Sequence, residues 1–298
     1  MDNKNKAKLG LLAVTVLWAL APSFIKLSLE ELQEFNLIAF RFVIAFALLL
    51  LLFRKKIAEA GRATYIRAFF LSLVLFLVFV SMTFGVRFTT ASKAGFLTCL
   101  SVIFVPFLTH LFFGRKPELK IIIGTVITIA GVGLLTLKSN LSVNPGDLLC
   151  LLCSLLYGLY IIMTERYASQ CEPIALSVIQ MGLVGLYSVL LTLLIEEPHL
   201  PARGITWTAV IVMALFCTAA AFLVQTVSQK HIKSEDAAVI NTMEPLFTVV
   251  FASLFLHESM SAREILGAAI LLGGVLVTQL DALGIKISIK NKWRVGKS

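Results

Sequence analysis

Residues 111–132 read LFFGRKPELKIIIGTVITIAGV, and residues 254–275 read LFLHESMSAREILGAAILLGGV. A shift of 143 positions aligns the two stretches without a gap and places Gly131 on Gly274. The match predicts that the chain contains two copies of one structural unit and that its fold is built from this repeat.

The composition indicates that part of the solvent of this chain is lipid. Hydrophobic residues make up 58% of the 298 residues, charged residues make up 14%, and the mean hydropathy is +0.92. A soluble domain usually carries about 25% charged residues, which is far more than this chain could place on a water-facing surface. The composition therefore favours a membrane protein over a soluble globular one.

Ten apolar stretches are long enough to cross a bilayer, whose hydrocarbon core needs about 20 residues of helix. They lie near residues 9–28, 36–53, 67–86, 92–113, 120–138, 147–165, 174–195, 206–227, 236–256 and 263–281. The repeat divides these spans five and five, between a first half at 1–138 and a second half at 139–298 that also carries a basic C-terminal tail. We predict an all-α polytopic membrane protein with ten transmembrane helices.

The odd number of spans in each half predicts that the two copies are inverted. A unit of five spans ends on the side of the membrane opposite to its beginning, so the second copy starts from the other side. Near the start of each half, a shift of 139 positions places Trp18 on Tyr157 and Arg41 on Gln180. Inverted repeats enclose a site near the bilayer midplane in many secondary transporters.

The distribution of Lys and Arg predicts the orientation. With the N-terminus inside, the cytoplasmic segments hold 19 of these residues and the opposite face holds five. This asymmetry is the positive-inside pattern, so we expect both termini to be cytoplasmic in a plasma-membrane protein. The formal net charge of +9 lies in short connections and the tail, which does not indicate a nucleic-acid partner.

The residues in these positions resemble the drug/metabolite transporter superfamily, and specifically its ten-helix carriers built of two EamA-type repeats. The resemblance covers nearly the whole chain. It rests on Trp18 followed by Lys26, on FRFVIA at 40–45, on NTMEPLFTVVFASLFLHE at 241–258, and on the glycine pairs of the fifth and tenth spans (Gly124 and Gly131, Gly267 and Gly274).

The resemblance implies cytoplasmic termini, a central cavity lined by helices 1, 3, 4, 6, 8 and 9, and in many members the export of amino acids or related metabolites. Two positions depart from the pattern of the second repeat. Arg115 stands where the second repeat has Glu258, and Val102 stands where it has Pro245. We therefore do not expect the two halves to have identical roles.

Glu244 is the sharpest candidate for a functional residue. It lies near the middle of the ninth span, where a charged side chain is costly and usually faces the protein interior or water. Its carboxylate could bind a proton or a cationic group of a substrate, or it could pair with Lys26 or Arg41 and hold the fold together. Pro245 removes a backbone donor beside it and is expected to kink the helix, as is Pro22 in the first span.

Polar and aromatic residues on neighbouring spans are expected to complete the substrate site. Trp18 and Tyr157 could stack on a ligand or pack against each other. The remaining candidates are Asn241, Thr98, Ser101, Ser154 and Gln225.

Two basic residues within spans have several interpretations. Lys26 could extend its ammonium to the membrane interface or form an ion pair. Arg41 is expected to contact an acid or a backbone carbonyl rather than to hold the substrate.

The glycines of spans 5 and 10 should permit close helix packing, and these spans could also form a homodimer contact. Cys150 and Cys153 are expected to be packing residues rather than a redox or metal pair, and we predict neither a metal site nor a cofactor.

The function predicted from these features is a secondary transporter of small metabolites, working by alternating access and exporting amino acids or related compounds. A broad drug exporter and a nucleotide-sugar carrier are alternatives within transport. A membrane enzyme would need paired acids, a metal cluster or an activated nucleophile, which the sequence does not contain, so we do not predict an enzyme. A receptor or scaffold that does not transport is the remaining alternative.

Overall fold

The computed structural model describes residues 3–114, 119–136 and 144–278, which form ten helical rods, α1 to α10, and no strand. The continuous rods are α2 (Glu34–Ala58), α3 (Arg62–Phe88), α5 (Leu119–Thr136), α6 (Pro145–Ala168), α7 (Pro173–Ile195) and α10 (Ala262–Thr278). The segmented rods are α1 (Asn3–Ala19, Ala21–Ser28), α4 (Ala91–Thr98, Ser101–Phe113), α8 (Gly204–Val212, Met213–Ala220, Ala221–Gln229) and α9 (Ser234–Asn241, Glu244–Leu256). Arg115 and the basic C-terminal tail lie outside the described residues.

The rods coincide with the predicted spans to within six residues at each end, and the predicted ends of the fifth and tenth spans lie outside the described residues. In the described part of the chain, eight helices are long and apolar enough to cross a membrane, and Ile121–Thr136 is a shorter apolar helix. The prediction of an all-α polytopic membrane protein is confirmed, because continuous apolar runs of this length satisfy their backbone hydrogen bonds only as helices.

Three of the four segmented rods, α1, α4 and α9, contain a break in the helix within their apolar stretch. The breaks in α1 and α9 come just before Pro22 and Pro245, each of which lies in the first turn of the segment that follows. Proline has no N–H to continue the helical ladder, so a break at these points is the expected consequence. In α4 the break lies at Cys99 and Leu100, which the shift of 143 places on the break in α9, although α4 has no proline there.

The packing of the rods follows the repeat. The pairs α2 with α7 and α5 with α10 each join a rod to its own repeat counterpart. The contact of α1 with α8 has its counterpart in that of α6 with α3, and the contact of α4 with α6 has its counterpart in that of α9 with α1. The two halves are therefore interleaved around one centre and do not form separate lobes.

The glycines of α5 and α10 face each other within the chain. A Cβ on Gly131 would lie 2.4 Å from the backbone nitrogen of Leu271, and one on Gly274 would lie 2.4 Å from the hydroxyl of Thr128. These positions accept only glycine because the two backbones are in contact. A homodimer through α5 and α10 would consequently have to use their other faces.

Candidate functional site

A cavity of about 70 Å³ lies among α1, α2, α3, α4, α6, α8 and α9. This volume has room for roughly five water molecules. Seven of the residues predicted for the site line it: Trp18, Arg41, Thr98, Ser101, Tyr157, Asn241 and Glu244. The resemblance implied the same rods except α2, which contributes Arg41.

Glu244 is the acid of the cavity. It is half-buried and is the first residue of the second segment of α9, so the break in that rod places it at a helix N-terminus. The exposed N–H groups of a helix N-terminus favour a negative charge. Within the described residues its carboxylate forms no hydrogen bond and no ion pair, because Lys26 and Arg41 contact other groups.

Arg41 is the cation of the cavity, and its side chain is held on three sides. Its Nε donates to the hydroxyl of Thr218, its Nη2 donates to the carbonyl of Cys217 at 3.2 Å, and its guanidinium lies 4.6 Å from the centre of the Phe79 ring. The residue is 3% exposed, and no acidic side chain in the described ranges pairs with it. A buried cation without a counter-ion favours the binding of an anionic group.

The carbonyl of Cys217 lies in a π-helical segment of α8, Met213–Ala220. This carbonyl accepts from the indole Nε1 of Trp18 at 3.0 Å as well as from Arg41. Segments of this kind inside α-helices often occur at functional sites. The segment therefore ties together two walls of the cavity.

Tyr157 lines the cavity from α6. Its phenol oxygen receives hydrogen bonds from the amide of Gln225 at 2.9 Å and from that of Asn241 at 3.2 Å. Since two amides donate to this oxygen, its own proton remains to be donated. The ring lies edge-on to Trp18, with 5.9 Å between the ring centres.

The other predicted residues occupy supporting positions outside the cavity lining. The Ser154 hydroxyl donates to the carbonyl of Leu151, and Gln225 lies behind Tyr157. Pro22 and Pro245 lie at the breaks described above.

The apolar part of the cavity wall was not predicted from the sequence. Phe79, Phe222, Val78 and Met82 all line the cavity. They occur in strongly apolar runs whose other aromatic residues face lipid or pack between helices, so no local signal distinguished them.

One end of the helix bundle is joined by polar contacts, and we call it the sealed end. The Nζ of Lys26 lies 3.6 Å from Glu258, which also accepts from the backbone nitrogens of Ala91 at 2.9 Å and Ser92 at 3.1 Å. These contacts join the end of α1, the beginning of α4 and the end of α9.

A loop contact at the same end involves His199. Its Nδ1 lies 3.0 Å from the carbonyl of Glu197, and its Nε2 lies 2.6 Å from that of Glu31. Both nitrogens can donate only in the protonated ring, so these contacts raise the pKa of His199 above its usual value.

The opposite end, which we call the open end, contains a second cavity of about 540 Å³. Its walls include Lys4, Glu165, Gln229 and Lys233. Glu165 accepts from the backbone nitrogen of Ser234 at 2.8 Å and from its hydroxyl, so it caps α9 much as Glu258 caps α4. Among the residues that the structure describes, no group of three or more His, Cys, Asp or Glu is placed to hold a metal ion.

Comparisons with known proteins identify relatives over most of the chain. The sequence profile of the EamA-like transporter family matches residues 5–137 and again residues 144–280. Each match covers five of the ten rods.

Individual relatives are similar at lower identity over most of their length. An uncharacterized transporter of Archaeoglobus fulgidus is 27% identical over 274 residues, which cover 92% of this chain and 86% of that protein. The uncharacterized transporter YetK of Bacillus subtilis is 24% identical over 267 residues, covering 85% and 80%. A solved crystal structure of a protein superposes with a TM-score of 0.71 at 16% identity, covering 95% of this chain and 99% of that one, and it supports the fold alone.

Proposed function

The chain belongs to the EamA-like transporter family, and from that premise we propose that it exports a small zwitterionic metabolite, such as an amino acid, by alternating access. The observation that carries the proposal is the pair of unpartnered charges in one cavity. Glu244 has no cationic partner, and Arg41 has no acidic partner, within the described residues.

A zwitterion complements this pair of charges. Its ammonium would neutralise Glu244, and its carboxylate would accept from the free donors of Arg41. The apolar wall around Trp18, Phe79 and Phe222 would contact an uncharged side chain. Because both charges lie away from bulk water, a substrate that lacks either group would leave one of them uncompensated.

The test uses three probes with one carbon skeleton: L-leucine, 3-methylbutan-1-amine, which lacks the carboxylate, and 4-methylpentanoate, which lacks the ammonium. Each is added to purified protein, and the rise in its melting temperature is measured, since a ligand that binds only the folded state stabilises it. We expect L-leucine to bind at least tenfold more tightly than either analogue. Equal binding of the three probes would contradict the zwitterion proposal.

Transport itself is measured as counterflow of labelled L-leucine in proteoliposomes, with and without a pH gradient. Glu244→Gln is expected to abolish counterflow, because the neutral amide no longer attracts the ammonium. Binding without counterflow would favour a receptor, and wild-type flux in Glu244→Gln would exclude a substrate or proton role for this residue.

We further propose that the two halves are inverted, with both termini and the open end in the cytoplasm of a plasma-membrane protein. The proposal is supported by the excess of Lys and Arg on the side of Lys4 and Lys233. Impermeant thiol labelling of a cysteine placed at Gly61 or at His199 tests it. We expect labelling from outside at position 199 alone.

A further inference from the structure

The π-helical segment of α8 positions Thr218 as well as the carbonyl of Cys217. The Thr218 side chain is fully buried, and its hydroxyl donates to the carbonyl of Met213 at 2.9 Å. Met213 lies five residues earlier, which is the spacing of a π-helical turn. Since the only proton of this hydroxyl is used in that bond, its lone pairs face Arg41.

These contacts fix the plane of the guanidinium. Arg41 donates in one direction to Thr218 and Cys217, and the ring of Phe79 lies against the guanidinium. The structure records no partner for Nη1 among the described residues, and Arg41 lines the central cavity. The two N–H groups of Nη1 and the second N–H of Nη2 are therefore the donors that remain for a ligand.

We propose that Thr218 is a positioning residue for the anion-binding group of the cavity. Its hydroxyl, set by the π-helical turn, holds Arg41 so that Nη1 faces the cavity, and it thereby determines whether a carboxylate-bearing substrate is accepted. The proposal rests on the proposed function and extends it to a residue that does not line the cavity.

Two substitutions separate positioning from packing. Thr218→Val keeps the shape of the side chain but leaves Nε of Arg41 without an acceptor, whereas Thr218→Ser keeps the hydroxyl and removes a methyl group. A packing role predicts that the serine variant loses more, because it creates a small void. A positioning role predicts that the valine variant loses more.

The experiment measures the affinities of the three probes for wild-type protein and both variants by thermal stabilisation. In Thr218→Val we expect binding of L-leucine and 4-methylpentanoate to weaken about tenfold, which is the usual effect of a charge-assisted hydrogen bond. Binding of 3-methylbutan-1-amine should change less than twofold. In Thr218→Ser, L-leucine and 4-methylpentanoate should bind as they do to wild-type protein. An equal loss for all three probes, or no loss, would overturn the proposal.

A second readout is independent of any substrate. The Nε proton of Arg41 is followed by nitrogen-15 NMR of arginine-labelled protein, and its exchange with solvent should be slow in wild type and Thr218→Ser but fast in Thr218→Val. If no probe binds wild-type protein, the zwitterion proposal fails, and this exchange rate decides whether Thr218 holds Arg41. Equal exchange in all three proteins would show that it does not.

Discussion

The sealed end and the open end of the molecule use the same device with different results. At each end a glutamate caps the beginning of a segmented rod, Glu258 on α4 and Glu165 on α9. At the sealed end Lys26 adds an ion pair that includes α1, whereas a cavity of about 540 Å³ lies beside Glu165. Each cap on its own joins two rods, and at the sealed end Lys26 joins a third.

The difference between the two ends bears on the proposed transport cycle. Under alternating access, the central site must exchange between the two ends, and a conformational change that opens the sealed end has to break the contacts that join α1, α4 and α9 there. In the proposed orientation the sealed end is outside, and the cavity of about 540 Å³ lies on the cytoplasmic side.

Removal of Glu258 should have the largest effect on the difference between the two ends, both in the melting temperature and in the accessibility of the central cavity. Glu258→Ala deletes both the cap of α4 and the partner of Lys26, so we expect the sealed end to open and the melting temperature to fall by about 4 °C. Cys153 lines the central cavity and can report the opening. Labelling of Cys153 by an impermeant thiol reagent from the sealed side should increase severalfold in a protein whose other cysteines, Cys99, Cys150, Cys171 and Cys217, are replaced by alanine.

Removal of Glu165 is the matched change at the open end. Glu165→Ala deletes the cap of α9 but breaks no ion pair in the described structure, so we expect the melting temperature to fall by about 2 °C. Labelling of Cys153 from the sealed side should stay at the starting level. Increased labelling in this variant would mean that the two ends are not distinct.

Neutralisation of Lys26 should have a smaller effect. The Lys26 side chain is about one-third exposed, and such pairs contribute roughly 1 kcal/mol at most. We expect Lys26→Gln to lower the melting temperature by about 1 °C and to raise labelling of Cys153 less than Glu258→Ala does. An effect as large as that of Glu258→Ala would show that the contacts of Lys26 with Glu258 and with the carbonyl of Thr89, and not the cap, close this end.

Substitution of His199 should have the smallest effect, and this effect should appear in the pH dependence of the melting temperature. Because its folded-state pKa is raised, its contribution to stability is complete below the unfolded value of about 6.5 and is lost as the pH rises through the folded-state value. The ring is exposed, so we expect the wild-type melting temperature to lose only about 1 °C more than that of His199→Gln between pH 5.5 and pH 8. If the melting temperatures of the two proteins changed in parallel with pH, the contacts of His199 would not contribute to stability.

Part of the candidate site was predictable from residue type alone. Glu244 stands out because a carboxylate within an apolar span needs a special environment, and Trp18 and Tyr157 stand out because the repeat aligns them. Phe79 and Phe222 do not stand out, since aromatic residues are common throughout the spans. The acceptors of Arg41 were not predictable, because one is a backbone carbonyl and the other a threonine on a rod about 177 positions away.

The sequence by itself determined the number of spans, their limits and the repeat, because hydropathy and periodicity are local properties that each stretch of about 20 residues carries alone. It also determined that Glu244 lies in an apolar span. Tertiary structure decided that Lys26 pairs with Glu258 and not with Glu244, and that α8 turns the carbonyl of Cys217 towards Arg41 and Trp18. These contacts depend on how distant rods pack against one another. The free energy that favours them therefore arises in the assembled bundle and not within any one segment.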